Sequence, residues 1–227
     1  MVQPHPMDAK RRYYRPFVSN DPHRKHEVFL VGINPATPIS ETDLSLSEYI
    51  QLLTNEDAFY GKYEELRRAQ GKPAVSRTRG GINNFVKEIQ IQSGKAVLET
   101  NAIPYPTPNV KELKKTPRDV IEKAEAIFYR LLMEQTPNVL LVHGKMSLKC
   151  LVNALASHQL LDDSTIDLDQ PLKTIEAKAP FVEFTYPNGN KGAIFACRHF
   201  MYYGKTGESF ADFRCNVIHY LNDKPVP

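Results

Sequence analysis

Along the chain, apolar residues gather into four short runs, separated by stretches in which they recur every three or four positions. The runs are "VFLVG" at 28–32, "AVLETNAI" at 96–103, "NVLLVHG" at 138–144 and "GAIFACRHF" at 192–200. Each is rich in β-branched or aromatic residues and bounded by turn formers, which predicts strands. The first and third are continuously apolar, as strands buried on both faces are. "FVEFTYPNGNKGAIFA" adds a hairpin with Pro-Asn-Gly-Asn as its turn. Helices are predicted over 45–53, 82–91, 117–135, 147–161 and 209–222. The third of these is the clearest. Thr116 can cap it, Pro117 suits the first turn and Asp119 complements the N-terminal dipole. Val120, Ile121, Ala124, Ile127, Phe128, Leu131 and Leu132 then share one face.

Strands alternating with helices predict an α/β domain. The expected form is a three-layer αβα sandwich, with a mainly parallel four-stranded central sheet and an edge hairpin. The 227 residues suit a single domain over 1–227, with 1–25 as an N-terminal extension. No apolar run reaches the roughly 18 residues of a membrane span, so no membrane partner is expected. The first residues lack the apolar core of a secretory signal. Cys150, Cys197 and Cys215 are far apart and form no Cys-x-x-Cys. That argues against a zinc ribbon or a cysteine-held iron–sulfur cluster. Sparse cysteines suit a reducing cytoplasm.

The net charge of +3 permits nucleic-acid binding without demanding it. "KRRYYR" at 10–15 and "SRTRGG" at 76–81 are local basic clusters. The first interleaves Tyr13 and Tyr14 with arginines. It either stacks on and neutralises a nucleic acid or is a tail held down by its aromatics.

In a sheet of this kind, ligands sit beyond the carboxyl ends of the strands. Four stretches lie there: Gly32 to Ala36, Asn101 to Pro106, His143 to Ser147, and Cys197 to Phe200. They contain amides, imidazoles, an arginine and a lysine, but no carboxylate. Paired-carboxylate hydrolysis is therefore poorly supported. Neither a Gly-x-Ser-x-Gly elbow nor a Gly-x-Gly-x-x-Gly loop occurs, which disfavours acyl transfer and dinucleotide binding. Amides and imidazoles suit recognition of a planar hydrogen-bonding ring and stabilisation of negative charge on it.

Taken in order, these stretches resemble the uracil-DNA glycosylase superfamily. "FLVGINPA" is similar to its first motif, closest to the mismatch-specific branch with Gly-Ile-Asn-Pro-Gly. "VLETNAIPYPT" resembles the strand that ends on a base-reading asparagine. "NVLLVHGKMSLKCL" resembles the strand–Gly–helix segment, and "AIFACRHF" stands where the family has His-Pro-Ser. "SRTRGGINNFVKEI" is loosely similar to the loop-to-helix segment after the first motif.

The resemblance implies base excision from uracil-containing or mismatched DNA with no metal or organic cofactor; a monomer in the cytoplasm, or at the nucleoid or nucleus, is expected. Asn34 would position a water, with Ile33 and Ala36 contacting base or water through their backbone. Asn101 would read the base edge. His199 would donate to the base carbonyl, although a one-residue shift would put Arg198 there. Gly144, Lys145, Ser147 and Arg198 would meet phosphates. Three departures stand out: Phe200-Met201 replaces Pro-Ser, Ala36 replaces glycine, and no base-stacking Phe is obvious. Met201, Tyr202 and Tyr203 are wedge candidates, and Phe59, Tyr60 and Phe85 are stacking candidates. Each assignment has a plainer alternative. Asn34 and Asn101 suit loops as backbone-bonding residues, Gly144 suits a tight strand-to-helix turn, and the aromatics suit a core. The alternative function is a catalytically inactive nucleic-acid or nucleotide binding module. A third reading is an enzyme acting on free nucleosides.

Overall fold

The structure, a computed structural model, describes residues 3–8 and 11–223. In chain order the elements are β1 (Val28–Gly32), α1 (Leu46–Leu53), α2 (Glu56–Ala69), α3 (Arg77–Ser93), β2 (Val97–Asn101), α4 (Val110–Leu113), α5 (Arg118–Gln135), β3 (Val139–His143), α6 (Lys145–Ser157), α7 (Leu172–Glu176), β4 (Val182–Thr185), β5 (Lys191–Cys197) and α8 (Ala211–Asp223). The protein is α/β, with one five-stranded, mostly parallel sheet in the order β2-β1-β3-β5-β4, in keeping with a three-layer sandwich.

Register follows the apolar pattern. Val28 to Val31 lie opposite Val139 to Val142 in parallel, and Val139 to His143 lie opposite Ala193 to Cys197. Every residue of β1 and β3 is buried, which is why neither run alternates. β4 pairs antiparallel with β5, as the Pro-Asn-Gly-Asn turn predicts. Among the described residues no helix is long and apolar enough to cross a membrane.

The chain divides into two compact units. The first comprises Met1–Arg24, Gly32–Ala74 and Leu98–Glu134; the second comprises Lys25–Val31, Val75–Val97 and Gln135–Pro227.

In the first unit, the stretch read above as an extension is integrated where it is described. Tyr13 stacks on Tyr49 at 4.8 Å within a cluster that includes Ile39, Leu53 and Phe59. The Tyr13 amide donates to the Ile39 carbonyl at 3.0 Å. Tyr14 is fully buried. The basic cluster's aromatics therefore hold the chain down; Lys10 lies outside the described residues. α2, which the apolar pattern does not reveal, owes its ends to capping. Asn55 accepts from the Ala58 amide, Glu56 and Asp57 sit in the first turn, and Arg67 and Arg68 in the last.

In the second unit, α3 and α8 pack on the strands through Phe85, Phe213 and Val217. α3 starts at Arg77, five residues before the apolar pattern shows it, because Ser76 caps it by accepting from the Arg79 amide at 3.1 Å. The pair Gly80-Gly81 masks this start, glycine being a poor helix former. Gly81 has a packing reason: a Cβ there would lie 2.4 Å from the Phe200 carbonyl oxygen and 2.8 Å from Tyr203 Cβ. This closeness lets α3 sit against the turn that carries His199.

Candidate functional site

Ile33, Asn34, Ala36 and Asn101 belong to the first unit. Its two motif loops are tied directly to each other. The Ala102 amide donates to the Gly32 carbonyl and the Ile103 amide to the Ile33 carbonyl, both at 2.9 Å; the Thr107 amide donates to the Pro35 carbonyl at 3.1 Å. Asn34 is half-buried. Its Nδ2 donates to Thr107 Oγ1 at 2.8 Å, to the Pro35 carbonyl at 3.2 Å and to the Tyr105 carbonyl at 3.4 Å. These bonds fix which way the amide points. They leave Oδ1, an acceptor, as the end without a protein donor among the described residues. Asn101 is also half-buried, and its side chain makes no hydrogen bond among the described residues. Ala36 is exposed and its φ is not positive; the left-handed residue is Thr37, at φ 57°. The methyl group at 36 therefore strains nothing.

Arg15 braces both loops. Its amide donates to the Pro104 carbonyl at 2.8 Å, and its guanidinium bonds the Ala36 carbonyl and lies over the Phe59 ring at 5.1 Å. The guanidinium is buried with the rest of the residue. Further along the same stretch, Tyr105 donates its hydroxyl to Asp8.

Gly144, Lys145, Ser147, Arg198 and His199 belong to the second unit. The Gly144 amide donates to the Cys197 carbonyl at 2.9 Å, joining the ends of β3 and β5. Gly144 has φ 89° and occupies the cap position of α6 without offering a side chain. Among the described residues the first amide groups of α6 therefore take no side-chain cap, as helix N-termini that meet anions do. Of the side chains assigned to phosphate, Lys145 is turned to the Gln170 carbonyl at 2.7 Å, and Ser147 is buried.

His143, the last residue of β3, meets His199 edge-on with 5.0 Å between ring centroids. It is 7% exposed, and its Nδ1 is buried from solvent with no partner among the described residues. Burial, reinforced by His199 and by the Arg79 charge, lowers its pKa to about 3, so it is neutral. His199 is half-buried, and burial lowers its pKa as well. Its Nδ1 accepts from the Met201 amide at 3.3 Å, which places the proton of the neutral ring on Nε2.

Arg198 points elsewhere. Its Nε and Nη2 each lie 2.9 Å from the Glu176 carboxylate, and Nη2 also donates to the Ser209 carbonyl at 2.6 Å. At this strand end the imidazole at 199, not the guanidinium at 198, is the group outside an ion pair. Glu176 carries no signal in the sequence: it lies in a five-residue helix, remote in the chain from its partner. Tyr203 is buried, whereas Met201 and Tyr202 are 46% and 61% exposed. Phe59 and Phe85 are buried in their cores, and Tyr60 is half-buried. Among the described residues no group of three or more His, Cys, Asp or Glu is placed to hold a metal ion.

Compared with known protein families and with curated proteins, the chain matches none.

Proposed function

We propose that this protein is a monofunctional DNA N-glycosylase resembling the uracil-DNA glycosylase superfamily. It would extrude one deoxynucleotide and hydrolyse the N-glycosidic bond of uracil or of a mismatched or damaged base. The observation that carries this reading is that neighbours fix the polarity of Asn34 and His199 in the sense the chemistry needs. With Nδ2 engaged, Asn34 presents Oδ1, which accepts from a water and aims it at the anomeric carbon. An amide takes no proton at neutral pH, so Asn34 orients the water and does not act as a base. The C1′–N bond breaks first, its electron pair leaving with the base as an anion. Water oxygen then bonds to C1′, and its surplus proton passes to solvent. Neutral His199 offers Nε2–H to the base carbonyl as charge develops, an interaction worth about 2–4 kcal/mol by analogy with single oxyanion donors.

In this reading Asn101 pairs its free amide with the O4 and N3–H edge of uracil. The uncapped amides and dipole of α6 hold a phosphate, and exposed Met201 or Tyr202 fills the gap left by the extruded base. The test is base release from oligonucleotides carrying uracil, hypoxanthine or a mismatched thymine, scored as alkali-labile abasic product. Absence of product from every substrate removes the reading.

A second reading is favoured by the three bonds of Asn34 Nδ2, because a purely loop-shaping asparagine makes the same contacts. A catalytically inactive binding module would show salt-sensitive DNA binding without base release.

A further inference from the structure

We propose that Glu176 is a positioning residue for His199, acting through Arg198; the role rests on reading His199 as the donor to the departing base. Glu176, at the end of α7, is 8% exposed. It accepts three N–H groups from one residue: the Arg198 amide at 3.0 Å, Nε at 2.9 Å and Nη2 at 2.9 Å. A carboxylate that grips both the backbone and the guanidinium fork of residue 198 fixes that residue's orientation, and so the direction in which the chain enters 199. Arg198 is held from the far side as well. It donates to the Ser209 carbonyl and lies over the Phe210 ring at 4.9 Å. Beyond His199, the Met201 amide fixes the ring through Nδ1, and His143 meets its edge. The imidazole is thus bracketed in the chain by Arg198 and Met201.

The pairing also has an electrostatic consequence. Bidentate pairing with Arg198 neutralises the carboxylate while keeping it as an anchor. Burying an ion pair has a desolvation cost, so a positional role explains its presence better than stability does.

The test uses full-length protein carrying Glu176→Gln, which keeps the shape and removes the charge. Base release is expected to lose kcat by roughly tenfold to hundredfold with KM little changed, the pattern of a misplaced group. Independently of turnover, the His199 imidazole carbon–proton resonance is expected to move while those of the remaining histidines other than His143 stay in place. Should E176Q fail to fold, Arg198→Lys retains the charge, loses the fork, and is expected to show the same kcat loss and resonance shift. An E176Q protein with unchanged kcat and an unmoved His199 resonance overturns the positioning role alone. Wild-type protein that releases no base overturns the glycosylase reading together with this role.

Discussion

Around Asn34 the chain is held by neutral hydrogen bonds between loops, braced by one buried arginine from the N-terminal stretch. Around His199 it is held by a bidentate ion pair and by the burial of two uncharged imidazoles. The first arrangement sets polarity through directional contacts to the Thr107 hydroxyl and to backbone carbonyls, each worth about 1 kcal/mol. The second concentrates its energy in few groups, and breaking one of them leaves a charge stranded. Substitutions should therefore act differently in the two regions.

The largest loss of stability is expected from Arg198→Met. It strands the Glu176 carboxylate and should lower the unfolding free energy by about 3 kcal/mol, read from urea denaturation. Asn34→Ala should cost less stability, about 1–2 kcal/mol for the lost Nδ2 contacts, while base release in single-turnover assays falls by roughly 10²–10³. DNA affinity should barely change, and equal losses of turnover and affinity would mean that Asn34 only shapes its loop.

The imidazole region should also respond to acid. The pKa of His143 is lowered to about 3, whereas in the unfolded chain it titrates near the ordinary histidine value. Its contribution is complete above that ordinary value. As pH falls from there towards the folded value, the unfolded chain takes up a proton that the folded protein refuses, and stability drops. The slope approaches about 1.4 kcal/mol per pH unit for one proton. His143→Phe should flatten this acid limb, which urea midpoints at neutral and mildly acidic pH would reveal.

The smallest effect is expected from Thr107→Val. It deprives Asn34 Nδ2 of its shortest acceptor and should cost about 1 kcal/mol of stability, with a few-fold loss of base release as the amide becomes free to turn. A loss as large as that of Asn34→Ala would show that the Thr107 contact alone sets the amide's direction.

The sequence by itself determined the elements whose signals are local. The four apolar runs became β1, β2, β3 and β5, and the Pro-Asn-Gly-Asn turn became the β4–β5 hairpin. The five periodic stretches became α1, α3, α5, α6 and α8. α2 escaped because its ends are set by capping and charge more than by apolar period, and α7 because five residues carry too little pattern. Asn34, Asn101 and His199 could be singled out because each ends or follows a strand that announces itself. Tertiary structure alone decided what those side chains do with their polar atoms. That Asn34 Nδ2 is spent on Thr107, that His199 carries its proton on Nε2, and that Arg198 turns to Glu176 all depend on partners the local pattern does not mark. Arg15, bonded to loops far along the chain, is the same case. Periodicity reports which face of an element is buried. The direction of an amide or the tautomer of an imidazole is set by whichever donor or acceptor folding brings within about 3 Å.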